Sequence, residues 1–399
     1  MADDVVITGL GLTSPIGCNE DHFWDALCQG RSGASPVDGL DTAERPRKIG
    51  CQVTEPVRVG GVSGRASRLA AAASRQALAS AGLASGEVEP GRLAVIVGTT
   101  MGETEFIEDR LSAPQAQWLS AEHVQRIISG RPGSIAENVR ADAGARGPAV
   151  DLYGACAAGN MAIAAARRGL LDGRCDVALA GGADGFSRLA FIGFMRLRIM
   201  AASVCRPFDE QRDGLLVGEG AAMFVLERES RARARGARIR ARVLGCGTTC
   251  EDYHPTRPEP EGDGLIRATR NALAEAGIQP GDIDYVCAHG TGTPQNDAIE
   301  VKVMDTCFPD GVSFSSIKAL TGHTMGAAAA MEAVCCVLSL EHQRLIPTWH
   351  LTKVLQPCSL DAIQGGVRPG RVRCVVNNSA GFGGYNSSVV LAAASRDRP

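Results

Sequence analysis

The sequence predicts an α/β fold built from two similar halves, and three observations carry that prediction. Short β-rich runs alternate with helical patterns through roughly the first 230 residues, as βαβ units do. The remainder of the chain repeats the style. At 399 residues the chain exceeds one hydrophobic core, and 45% hydrophobic but only 4% aromatic residues leave an interior of Ala, Val, Leu and Ile, suited to close helix-on-sheet layers.

Taken in order, the first half reads as strands at Val5 to Thr8, Leu93 to Val97, Ala149 to Leu152, Asp176 to Ala180 and Ala222 to Leu226. Each is a short apolar run between turn residues, and helical patterns between them imply a largely parallel sheet. The densest charge run, Glu227 to Arg242, reads as a solvated helix followed by an edge strand. The proline-punctuated segment Asp252 to Gly262 is a loop marking the border between halves 1–250 and 251–399. The second half reads as a helix over Gly264 to Ala276, a strand at Ile283 to Ala288, a helix from Asp297 and a strand at Val312 to Ser315. A long alanine-rich helix follows His323, and strands near Arg371 to Val376 and Ser387 to Leu391 flank the turn-forming Gly381-Phe-Gly-Gly384.

Two stretches, Gly154-Ala-Cys-Ala-Ala-Gly159 and Gly322-His-Thr-Met-Gly-Ala327, each set a reactive residue ahead of a small-residue helix and after a strand. A duplicated half would bring these helix starts face to face.

Net charge of −3 offers no global field for nucleic acid or an anionic membrane. The fourteen cysteines fall largely inside apolar runs such as Cys335-Cys336 and read as free, buried thiols in a reducing cytoplasmic setting. The opening Met-Ala-Asp-Asp runs straight into a strand pattern without the features of a secretory signal. No uncharged apolar run has membrane-spanning length, and no Cys-x-x-Cys pair offers zinc-site spacing, so neither a membrane nor a metal is expected.

Cys156 lies at a strand-to-helix elbow, where unpaired N–H groups lower a thiol's pKa. A thiol nucleophile also needs a proton acceptor and donors for an oxyanion. The donors would be the Cys156 N–H and the turn Gly381-Phe382-Gly383-Gly384, whose glycines let backbone approach a ligand closely. His289, in His289-Gly-Thr-Gly-Thr293, and His323 both stand in small-residue loops at strand ends. Two neutral imidazoles converging on a thioester carbonyl would stabilise an enolate, the charge that forms when a malonyl group loses CO2. Lys318 and Glu332 would support His323 from behind.

With these residues in place, the chain resembles the β-ketoacyl-acyl carrier protein synthases, elongating condensing enzymes of the thiolase fold. The likeness rests on Val5-Val-Ile-Thr-Gly-Leu-Gly-Leu-Thr-Ser-Pro-Ile-Gly17, Gly154-Ala-Cys156-Ala-Ala-Gly159, Arg206-Pro-Phe-Asp-Glu210 through Gly220, His289-Gly-Thr-Gly-Thr-Pro294, Lys318-Ala-Leu-Thr-Gly-His323 and Asn378-Ser-Ala-Gly-Phe-Gly-Gly-Tyr-Asn386. It implies a five-layer α/β/α/β/α duplication that forms dimers, and a Cys156-His289-His323 condensing site. Lys318 and Glu332 would be supporting residues and the N–H groups of Cys156 and Phe382 the oxyanion hole. Thr291 and Thr293 would face the phosphopantetheine arm of an acyl carrier protein, with Ala380, Gly381 and Gly383 along the substrate. No further cofactor is implied. Arg65, Arg68 and Arg206 would dock the acidic carrier protein. The partner subunit would be a second copy, or a related chain-length-determining subunit in a heterodimer.

Three departures stand out: Ile317 where the family commonly has Thr, Gln295-Asn296 for a usual Leu-Gly, and Ala380 where fatty-acid enzymes often carry an aromatic. The last points to a reshaped acyl pocket and to polyketide or specialised acyl chemistry, with housekeeping fatty-acid elongation as the alternative. A cysteine hydrolase would have no use for a second loop histidine. A thiolase would need a second cysteine near residue 380, and condensing enzymes that start chains would show Asn in place of His323.

Overall fold

The computed structural model describes residues 3–40, 45–84, 86–112 and 120–394. Eleven strands form one continuous sheet. In chain order they are β1 (Val5–Thr13), β2 (Leu93–Thr99), β3 (Ala149–Tyr153), β4 (Val177–Asp184), β5 (Gly220–Arg228), β6 (Ala241–Cys250), β7 (Tyr285–Cys287), β8 (Ser313–Ser315), β9 (Asp361–Ala362), β10 (Cys374–Gly381) and β11 (Tyr385–Ala393). Their order across the sheet is β9-β8-β7-β10-β11-β6-β1-β5-β4-β2-β3. The helices that matter to the site are α1 (Arg65–Ser80), α2 (Glu105–Ser112), α3 (Ser134–Asp142), α4 (Ala158–Leu171), α5 (Arg188–Arg196), α6 (Asp263–Ala276), α7 (Pro294–Cys307) and α8 (Ala328–His342).

β1 pairs antiparallel with β6 at the middle of the sheet, Val5 opposite Val243 and Ile7 opposite Ala241. Helices α4 and α8 pack against each other and against both half-sheets, α1 and α3 cover the first half-sheet, and α6 with α7 covers the second. Three hydrophobic clusters fill the spaces between these layers. The result is the expected α/β/α/β/α stack.

The sheet is less parallel than the sequence suggests. β2, β3 and β4 run parallel, as do β7, β8, β9 and β10, but β5 and β11 run against their neighbours. β11 follows β10 through the tight turn at Gly381–Gly384, and a turn that short can only make a hairpin. The strand after the charge run also differs from expectation. β6 lies at the centre of the sheet, not at its edge. Arg240 and Arg242 are correspondingly buried, Arg240 paired with Glu20 and Glu341 and Arg242 with Glu229, as buried guanidinium groups must be.

The duplication is visible in local backbone. A 3-10 turn precedes α4 at Ala155–Ala157 and α8 at Met325–Ala327, and both turns open on a left-handed non-glycine residue, Ala155 at φ 48° and Met325 at φ 54°. This correspondence matches Cys156 with Gly326, so His323 stands three residues ahead of the position that corresponds to Cys156. The two helix starts touch: a Cβ on Gly159 would meet the Ala330 N at 2.7 Å. The stretch Met325–His342 is long and apolar enough for a membrane span, but 89% of it is buried, because it is the central core helix.

Candidate active site

Cys156 occupies the turn between β3 and α4 and is 7% exposed. Burial pushes its thiol up to about 12, against the pull of the Lys318 charge. The sequence alone suggests a thiol acidified by the helix start; here burial is the largest influence on it and raises it. A neutral thiol needs a proton acceptor on hand, and the Nε2 of His323 lies 3.0 Å from the sulfur. The backbone N–H of Phe382 also points at the sulfur.

His289 follows β7 on a loop held by two carboxylates one turn apart on α7. Glu300 accepts from the N–H groups of His289 (2.5 Å) and Gly290 (2.7 Å), and Asp297 accepts from those of Thr291 (3.1 Å), Gly292 (3.2 Å) and Phe208 (2.7 Å). Both acids are buried, and burial pushes Glu300 up to about 7. His323 is fixed through its backbone, its N–H donating to Leu216 O at 2.7 Å and its carbonyl accepting from Gly218 N at 2.9 Å.

The imidazoles stand edge to face with ring centres 5.4 Å apart. The sulfur and one nitrogen of each ring lie within 4.8 Å of one another. Burial first, and then the charge of Lys318, holds both histidines well below the ordinary imidazole value, so both are neutral at physiological pH. The Lys318 Nζ lies 3.2 Å from His289 Nδ1 and 2.5 Å from His289 O, and pairs with Glu332. An ammonium only donates, so Nδ1 accepts and the ring proton of His289 sits on Nε2. Ser379 joins the two centres, its Oγ donating to Cys156 O at 2.9 Å and lying 3.4 Å from His289 Nδ1. The Nδ1 of His323 has no hydrogen-bond partner among the described residues, so nothing there selects its tautomer.

A thiol and two imidazoles are also ligands for a soft metal. Here, however, an ammonium sits where a metal-bound histidine would meet a carboxylate or carbonyl acceptor. The set therefore fits an anion that accepts from N–H groups better than a cation.

These groups open on a cavity of about 560 Å³, lined by Cys156, His289, Thr291, Thr293, His323, Ala380, Gly381, Phe382 and Gly383. Lys318 and Glu332 lie behind it, each 1% exposed. The predicted docking arginines are outside this lining. Arg65 is tied to Glu219 at 2.8 Å and to Val53 O at 2.9 Å, Arg68 lies one turn along α1, and Arg206 reaches Gln211 at 3.4 Å. Sequence reasoning passed over several contributors. The segment taken as a border loop supplies His254, Thr256, Arg257 and Glu259 to the cavity, and the end of α5 supplies Phe194. Asp297-x-x-Glu300 directly after the His-Gly-Thr-Gly-Thr-Pro stretch was a readable signal of a loop clasp. Asp184 was not: its carboxylate, buried on β4, receives N–H groups from Thr100, Met101 and Gly326, the last at the start of α8.

Comparison with known proteins identifies the family. Residues 2–232 match the family model "Beta-ketoacyl synthase, N-terminal domain" and residues 240–352 the C-terminal domain of the same family. The chain is 34% identical over 409 residues to the 3-oxoacyl-[acyl-carrier-protein] synthase 2 of Coxiella burnetii, covering 97% of this chain and 98% of that one. It is 34% identical over 412 residues to the tetracenomycin polyketide synthase ketoacyl synthase alpha subunit of Streptomyces glaucescens, covering 97% and 96%. The solved ishigamide ketosynthase/chain length factor superposes with a TM-score of 0.93 at 35% identity, covering 99% of this chain and 100% of that one. With both family models matched over residues 2–232 and 240–352 and relatives 34% identical over nearly the whole chain, the chain belongs to the beta-ketoacyl synthase family.

Proposed function

We propose that Cys156, His289 and His323 perform a decarboxylative condensation of an acyl thioester with a malonyl thioester, both delivered by an acyl carrier protein. The observation that carries this reading is one buried cavity holding a nucleophilic sulfur and two neutral imidazoles. As Cys156 attacks the acyl thioester carbonyl, His323 Nε2 takes the thiol proton and passes it to the departing carrier thiol. The Phe382 N–H receives the oxyanion. In the second half-reaction the malonyl carboxylate leaves as CO2, and its bonding pair becomes the enolate, whose oxygen accepts from His289 Nε2–H and, once the His323 ring proton has moved from Nδ1 to Nε2, from His323 Nε2–H. The enolate carbon then attacks the acyl-enzyme and the Cys156 sulfur leaves. His289 must be a fixed donor, which its Lys318 bond ensures. His323 must accept and then donate, which its unconstrained Nδ1 permits.

On this reading the half 1–250 supplies the nucleophile and the half 251–399 the histidines. Thr291 and Thr293, at the cavity wall, meet the pantetheine arm, and Arg65, Arg68 and Arg206 are the proposed carrier-docking residues. The edge strand β3 exposes Val150 and Tyr153, a surface for a second ketosynthase-like subunit, identical or chain-length-determining. Ala380 in the cavity lining favours a polyketide or unusual acyl chain over routine fatty-acid elongation, in a cytoplasmic enzyme.

Mass spectrometry after incubation with an acyl carrier thioester is expected to show an acyl adduct that disappears in Cys156→Ala. An unacylated wild type sinks the proposal. His323→Ala is expected to retain some acylation but release no CO2 from malonyl carrier protein, and undiminished condensation would remove the role given to His323.

A further inference from the structure

Glu108, on α2, lies outside the cavity lining, yet its carboxylate is bonded to the start of α5. Its Oε1 accepts from Ser187 Oγ at 2.7 Å and from Leu189 N at 3.0 Å, and its Oε2 accepts from Arg188 N at 3.1 Å. The Ser187 Oγ in turn accepts from Ala190 N at 3.1 Å. Three of the N–H groups left over at the head of α5 are thereby satisfied, and a negative charge sits at the positive end of the helix.

This cap matters more for α5 than for most helices. Of its nine residues only Ala190 and Phe191 are fully buried, with Phe194 and Met195 packed half-buried against the same small cluster, so its anchorage is modest and the cap adds to it. Its far end and the segment beyond form one wall of the cavity through Phe194, Leu197 and Ile199. The Phe194 ring lies 5.7 Å from that of Phe382, whose N–H faces the sulfur. A shift of α5 would therefore move the apolar wall formed by Phe194, Leu197 and Ile199.

We propose that Glu108 is a positioning residue: from a separate helix it holds α5 in place and so sets the wall against which a long acyl chain lies on Cys156. The proposal rests on the condensation reading above. A displaced wall lowers the fraction of molecules able to accept a long chain, which raises its apparent KM. A two-carbon acyl group offers that wall far less chain to meet than a twelve-carbon one, so its KM is expected to stay unchanged.

The test compares acylation of Cys156 by acetyl and dodecanoyl carrier thioesters in Glu108→Ala, Glu108→Gln and wild type. Glu108→Ala is expected to raise KM for the dodecanoyl substrate about fivefold, the scale of one lost helix cap, with the acetyl KM unchanged. Glu108→Gln keeps an acceptor oxygen and is expected to recover part of the loss. Ser187→Ala, which removes only a hydroxyl, is expected to show the same split at smaller size and carries the test if Glu108→Ala does not fold. Equal rises for both chain lengths, or none for either, overturn the proposal. Failure of the wild type to be acylated at all would strike the condensation reading instead.

Discussion

Lys318 is expected to serve two purposes that a pair of variants can separate. It neutralises Glu332 in the core and donates to His289 Nδ1 at 3.2 Å. Burial drives the Glu332 carboxyl well above its ordinary range, and the Lys318 charge opposes this. Lys318→Met strands Glu332 in a dry environment, and breaking such a buried pair costs about 3–5 kcal/mol. With an unfolding entropy of ~2.1 cal/mol/K per residue, 399 residues convert that cost to a Tm drop of about 4–6 °C. Lys318→Met/Glu332→Leu removes both charges, and replacing a buried pair by apolar groups is often neutral, so its Tm is expected to return to near wild type. Decarboxylation should not return with it. Without the ammonium nothing holds the His289 proton on Nε2, and loss of one oxyanion donor lowers the rate about 10²-fold. Thermal denaturation and CO2 release from malonyl carrier protein, run on both variants, make the measurement. If the double variant regains both stability and wild-type decarboxylation, Lys318 is a core residue and its assigned hold on His289 is wrong.

Glu300 gives a pH signature. Because burial raises its folded value to about 7, the native state binds a proton that the unfolded chain has released between about pH 4.5 and 7, so its contribution to stability falls as pH rises through that window. Glu300→Gln is expected to gain on wild type by up to about 3 kcal/mol between pH 5 and pH 8, measured by urea unfolding at both values; a pH-independent difference contradicts this. Gly381→Ala tests the oxyanion loop. The added Cβ would sit 3.0 Å from both Ala155 Cβ and Cys156 N, and overpacking of this kind costs about 1–3 kcal/mol. Single-turnover acylation is expected to slow about tenfold as the Phe382 N–H is displaced, and a wild-type rate would show that this N–H is not used.

Much of the site was legible because its signals are local. The alternation of apolar runs and helical patterns places β1 to β5, and the turn residues around His289, His323 and Gly381 mark where chemistry leaves the sheet. The misreadings share a cause. Glu227 to Arg242 looks solvated because its charges are plain in the sequence, whereas its pairing within the run, Arg242 with Glu229, and the distant partners Glu20 and Glu341 of Arg240 appear only once the chain is folded. The 252–262 segment looks like a linker because its proline content hides that it folds over the cavity. Asp184 reads as an ordinary strand-end acid until Gly326 is found donating to it.

The sequence by itself determined which groups are available: one thiol at an elbow, two imidazoles in glycine-rich loops, a lysine and a glutamate near them, and the layered elements that carry them. The tertiary structure alone decided their states. A helix start acts on a thiol through its immediate neighbours, but burial depends on everything packed over the sulfur, and here burial is the largest influence raising it. In the same way, contact with Lys318 fixes the proton of His289, while the absence of any such contact at His323 Nδ1 among the described residues leaves its tautomer unselected.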